Sequence, residues 1–124
     1  MARHFTLEEA NAALGVVRPL VKDILETRQR IVPRRPDVWP VLQAALGNGG
    51  SRAAGEMVNE FIHLDALVRR LQATGAELKD VNTGLIDFLS VREGREVYLC
   101  WQYDEDEIRY WHELHTGFAG RQPL

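Results

Sequence analysis

Apolar residues in the first quarter of the chain recur at helical spacing. Leu7, Ala10, Leu14, Val17, Val21, Ile24 and Ile31 follow at steps of three, four and seven, the stripe of a long amphipathic helix. Thr6 and Glu9 have capping-box spacing, so the helix should start there. Gly15 and Pro19 interrupt the stripe. Proline lacks the amide that would bond residue 15 and crowds that carbonyl, which predicts a kink or two helices meeting near Gly15–Pro19. Pro33, Pro36 and Pro40 bound a segment in which Asp37 can cap a short helix ending at Gly47, and GNGGS then reads as a loop. From Ser51 to Thr74 a second seam, Met57, Phe61, Leu64, Val68 and Leu71, alternates steps of four and three until Gly75 ends it. Two long seamed helices are satisfied by packing antiparallel, or by a second copy of the chain.

After Gly75 the period changes to two. ELKDV, LIDFLSV and REVYLCW are β-prone runs separated by NTG and REG, which predicts an antiparallel meander. A turn at Asn82–Thr83 with Gly84 left-handed would set Val81 against Leu85, Lys79 against Asp87 and Leu78 against Phe88. A two-residue turn at Glu93–Gly94 sets Asp87 against Cys100, Phe88 against Leu99 and Ile86 against Trp101. A three-residue loop at Arg92–Gly94 would mix the faces and ranks second. The preferred registers put Leu78, Ile86, Phe88, Val97, Leu99 and Trp101 on one face, for the helices to cover. Tyr103–Glu107 reads as a turn. IRYWHE can add a helical turn or a fourth strand, with Tyr110 meeting Trp101 and Trp111 meeting Cys100. The remaining HTGFAGRQPL should be irregular, anchored by Phe118.

These patterns predict an α+β fold: an N-terminal antiparallel helical hairpin packed on a C-terminal three- or four-stranded antiparallel β-meander. The 124 residues suit a single domain, with a helical layer over about 6–75, the meander over about 77–113 and an irregular tail over 114–124. Composition agrees, with 45% hydrophobic and 27% charged residues. No apolar run approaches the ~18 residues of a membrane span, and the N-terminal sequence has no secretion signal, so a cytoplasmic location is expected. The lone Cys100 fits a reducing compartment. The net charge of −3 is unevenly spread: residues 1–76 carry +2 and residues 77–124 carry −5. An acidic second half without clustered cations argues against nucleic-acid binding.

Several stretches bear on chemistry. On the meander's second face Lys79, Asp87 and Cys100 form one cross-strand row, which could bind an anion or lower the thiol's pKa; an ordinary ion pair beside a half-buried cysteine is the simpler reading. His112-Glu113-Leu114-His115 is one residue short of the zinc-protease spacing. A strand would send its two rings to opposite faces. No metal is therefore predicted; the minor alternative is zinc or iron on His112 and His115, with Glu113, Asp104 or Cys100 as third ligand. Glu60 and His63 have di-iron spacing, but the motif occurs once and flanks the seam. Asp104–Glu107 lacks the alternate spacing of a calcium loop and reads as a solvated turn. Phosphate-binding glycine loops and Gly-x-Ser-x-Gly are absent.

FTLEEANAAL, KDVNTGLIDF, REVYLCW, YWHE and GFAGRQPL together resemble the prokaryotic domain of unknown function 2203 family over nearly the whole chain. Residues 34–51 fit that pattern least. The resemblance implies a shared fold and no reaction. Lys79, Asp80, Gly84, Asp87, Cys100, Trp101, Glu107, Trp111, His112, Gly117 and Arg121 fall on its motif positions, whereas Arg28, which breaks the first seam, does not. The first functional expectation is a non-enzymatic interaction module that self-associates, because Leu85, Leu89, Val91 and Tyr98 are left on the second sheet face. The second is a small-ligand or metal-binding protein, possibly an enzyme, with Lys79, Asp87, Cys100, His112 and Arg121 as its site. There His112 would be base or ligand and Arg121 an anion clamp. The partner and any reaction are not readable.

Overall fold

A computed structural model describes residues 3–47 and 57–124. Helix α1 spans Leu7–Ile31, α2 Trp39–Ala45 and α3 Val58–Ala73. The sheet follows, with β1 Glu77–Asp80, β2 Leu85–Arg92, β3 Arg95–Gln102, β4 Tyr110–Glu113 and β5 Gln122–Pro123. The fold is α+β, and the five strands lie antiparallel in chain order. No described helix is long and apolar enough to cross a membrane.

The capping box forms as the sequence requires: Glu9 N–H donates to Thr6 Oγ1 at 3.1 Å and Thr6 N–H to Glu9 Oε1 at 2.9 Å. From there α1 runs unbroken through Pro19, so the expected division does not occur. Gly15 and Pro19 both line an open cleft, where the carbonyl that proline leaves unbonded can meet water. Arg34, beyond α1, pairs with Glu60 in the first turn of α3, and Arg3, before α1, bonds the Thr74 carbonyl after α3. The two helices therefore run antiparallel, with α2 between them, so they are not a simple hairpin. Asp37 does not cap α2: it pairs with Arg35, and the helix begins at Trp39 with Val38 as an uncapped start. The expected GNGGS loop and the first turn of the Ser51–Thr74 helix lie outside the described residues. Within them, the seam Met57, Phe61, Leu64, Val68 and Leu71 is buried.

The inner face of the sheet carries Ile86, Phe88, Val97, Leu99, Trp101 and Trp111, all buried against the helices, with Leu78 partly buried beside them. The β2–β3 hairpin has the expected register, Asp87 to Cys100 and Phe88 to Leu99. Its turn residues Glu93 and Gly94 have φ of 53° and 79°, the mirror-type turn that matches strand twist. The other two registers differ from expectation. Gly84 is left-handed as required, at φ 71°, but its amide bonds the Asp80 carbonyl, and a bulge between Leu78 and Asp80 brings Glu77, not Lys79, opposite Asp87. The cause is the use made of Asn82. Its Oδ1 accepts from Arg28 Nε at 2.7 Å and Trp39 Nε1 at 3.1 Å, while its amide bonds Asp80 Oδ1. Arg28 leaves the α1 seam to make that tie.

Of the two readings of IRYWHE the strand is the one that forms, shifted by one residue: Tyr110 pairs with Cys100, Trp111 with Leu99 and His112 with Tyr98. The shift follows from the loop before it. Ile108 is buried, its amide held by Asn11 Oδ1 at 2.9 Å, so the strand starts after it. Because side chains alternate along a strand, one residue of shift sends Trp111 into the core and His112 to the opposite face. Beyond β4, a 3-10 turn at Phe118–Gly120 leads into the fifth strand. Phe118 is half exposed and is not the anchor.

Candidate metal centre

Strand alternation places Asp87 and Cys100 directly opposite one another on the outer face of β2 and β3, and the β4 register adds His112 diagonally beyond Cys100. All three are buried, at 2%, 0% and 2% exposure. Their ligand-capable atoms lie within 4.8 Å of one another. The hydrogen bonds of His112 fix its ring. Nδ1 lies 2.7 Å from the Glu113 carbonyl oxygen, which can only accept, so Nδ1 carries a proton. Nε2 then points at Asp87 Oδ2, 2.9 Å away, and one proton lies between them. Tyr98 closes this side, its ring 5.5 Å from that of His112 and its hydroxyl bonded to Glu77.

Burial sets the electrostatics. It raises the Asp87 carboxyl above the ordinary aspartate value, against the opposing pull of His112. The Cys100 thiol is pushed up to about 12, first by burial and then by the Asp87 carboxylate, with Arg121 pulling the other way. The alternative in which Lys79 activates the thiol is therefore not found. Lys79 is exposed, pairs with Glu77 at 3.1 Å and lies over the Tyr98 ring, at the rim of the cluster. A thiol that keeps its proton at neutral pH is a poor nucleophile. Among the described residues Asp87 Oδ1 has no hydrogen-bond partner, although it is buried.

Arg121 covers the other side. Its Nη2 donates to Glu105 Oε1 at 2.6 Å and reaches the Cys100 carbonyl at 3.4 Å, while its guanidinium lies 4.1 Å from the Tyr110 ring centre. Glu105 is more than part of a solvated turn. Its carboxylate also accepts from the Gln102 amide, and its carbonyl accepts from Trp101 Nε1 and Arg18. A carboxylate amid three other acidic residues gave no sign in the sequence of which one turns inward. Two clefts of about 430 and 390 Å³ run beside α1 and touch none of Asp87, Cys100 and His112. His115 is exposed and contributes no atom to the donor group, so the His112–His115 pairing is not what the fold assembles.

An imidazole nitrogen, a thiol sulfur and a carboxylate oxygen form the donor set of zinc and other borderline transition metals, not of magnesium or calcium. The His112 ring is already oriented by a backbone carbonyl, as ligating histidines commonly are. The residues present fit such an ion. The match to known families covers this whole region: the model of an uncharacterized conserved protein family, DUF2203, aligns with residues 3–124. The chain belongs to the DUF2203 family. That family description carries no reaction with it, and no curated protein and no solved structure matches the chain. For this DUF2203 member, function has to be argued from the cluster.

Proposed function

We propose that the protein binds one divalent transition-metal ion, zinc or iron(II), through Asp87, Cys100 and His112. The supporting observation is the convergence of three different donors, buried together, in which Asp87 Oδ1 has no partner stronger than the neighbouring Cys100 thiol. A buried carboxylate oxygen so weakly paired costs stability, whereas an ion would use it. His112 would contribute Nε2, Cys100 its sulfur as thiolate, and Asp87 a carboxylate oxygen; the bound ion would supply Lewis acidity or structural cross-linking. The burial of all three donors favours a closed centre over a catalytic one with a substrate position. A thiolate ligand also fits a reducing, cytoplasmic setting.

Cobalt(II) titration followed by absorbance, with metal analysis of the purified protein, tests this. One ion per chain and a thiolate charge-transfer band are expected, both lost in Cys100→Ser and His112→Ala. At free metal 100 times the Kd the fold should gain about 2.7 kcal/mol, several degrees in Tm. Stoichiometry near zero with zinc, iron(II) and cobalt(II) alike, together with an unchanged Tm, would sink the reading. Self-association keeps one supporting observation. On the second sheet face Leu89 is buried within the chain and Leu85 and Tyr98 are partly buried, but Val91 is 55% exposed. Light scattering at high micromolar concentration decides it, and a strict monomer would exclude it.

A further inference from the structure

We infer that the segment Gly117–Leu124 is a strap controlling access to the Asp87–Cys100–His112 centre, and that Arg121 holds it shut; as regulation of a metal site, this rests on the reading above. A donor group buried to 0–2% exposure must be uncovered before an ion can enter or leave. Its cover has two halves of unequal strength. Tyr98 belongs to β3, an inner strand paired on both sides, and Glu77 and Lys79 to β1, an edge strand that makes three pairings with β2 and also packs on α3. The other half hangs on β5, which makes only two pairings with β4, on one backbone bond from Leu124 to the Arg109 carbonyl, and on Arg121. Opening on this side disturbs the fold least.

Three features suit the segment to that motion. Gly117 has φ 62° and ψ −161°, a region that essentially only glycine occupies, at the point where the chain turns back over the sheet. Phe118 is half exposed and so gives little burial to hold the strap down. Arg121 itself is the clasp: its guanidinium lies between the Tyr110 and Phe118 rings, 4.1 and 4.8 Å from their centres, and it reaches Glu105 and the Cys100 carbonyl. Its Nε is nonetheless buried without a partner among the described residues, so the closed seat is incompletely satisfied.

The test compares Arg121→Ala and Arg121→Lys with Leu71→Ala, a buried α3 change away from the cluster that controls for general destabilisation. In metal-free protein the labelling rate of Cys100 by an aromatic disulfide reports access; in cobalt-loaded protein, transfer of the ion to a chelator reports release. Arg121→Ala should accelerate both at least tenfold beyond Leu71→Ala. Arg121→Lys should fall between, since lysine keeps the charge for Glu105 but not the planar stacking group. Losing the cation beside Cys100 would by itself slow thiolate chemistry, so faster labelling reports access. Labelling of Arg121→Ala no faster than that of Leu71→Ala overturns the strap, even if one ion binds. Faster labelling in a protein that takes up no ion supports the strap as the thiol's cover and sinks the metal reading instead.

Discussion

Strands β2, β3 and β4 bury one group of residues on each face to the same depth, and the two groups are built from opposite chemistry. Inward lie Ile86, Phe88, Val97, Leu99, Trp101 and Trp111, at 0–7% exposure; outward Asp87, Cys100 and His112 are at 0–2%. On the inner face burial is itself the stabilising force, because apolar surface leaves water. On the outer face burial removes an acid and a base from water, and the gain from pairing them seldom exceeds that desolvation cost. Equal burial therefore marks two different things: one face makes the fold and the other is kept in spite of it.

Breaking the inner face should have the largest effect. Phe88→Ala removes a fully buried ring that packs edge-on against Phe5 at 5.1 Å, and should cost about 3–5 kcal/mol, measured as a loss of urea midpoint. The outer face should answer differently to one substitution and to two. His112→Ala strands Asp87 in a dry site and should cost about 3 kcal/mol, near the lower end of what removing one partner of a buried pair costs. Asp87→Leu combined with His112→Phe replaces both by apolar groups and should recover wild-type stability or exceed it, while taking up no cobalt. A double variant as unstable as His112→Ala would show that the pair supports the fold, and the contrast between the faces would disappear.

The inner face was legible in the sequence and the outer face only half so, for a physical reason. Apolar alternation repeats through β2 and β3, and the Glu93–Gly94 turn admits one conformation that keeps it, so Asp87 opposite Cys100 followed from local chemistry alone. The positions of Lys79 and His112 depend on partners distant in sequence. The Asn82 side chain, within its turn, is held by Arg28 and Trp39, and Ile108 is held by Asn11 from α1. Neither tie has a period or a motif. Each moves a register, and each register decides which side chain faces Asp87: Glu77 replaces Lys79, and His112 replaces Trp111 on the outer face. The cluster's members were nameable from their types, but their meeting depended on those two ties. Pro19 teaches the converse. A strong local breaker did not divide α1: Gly15, whose carbonyl the proline leaves unbonded, lines an open cleft where water can reach it, and the apolar stripe stays buried.

The smallest expected effect sharpens the comparison through pH, and it isolates Cys100 in metal-free protein. With its folded pKa near 12, the buried thiol stays protonated where an unfolded cysteine, at roughly 8.5, has ionised. Above about pH 8.5 the unfolded chain therefore binds fewer protons than the folded one at this position, and stability falls with rising pH until the folded thiol also ionises near 12. Cys100→Ala lacks that slope. Its urea midpoint, compared with that of the wild type at pH 7.5, 9 and 10.5, should gain steadily on the wild type, whereas Phe88→Ala should keep a constant deficit. Parallel curves for Cys100→Ala and the wild type would mean that the outer face admits water, and that its equality of burial with the inner face does not hold in solution.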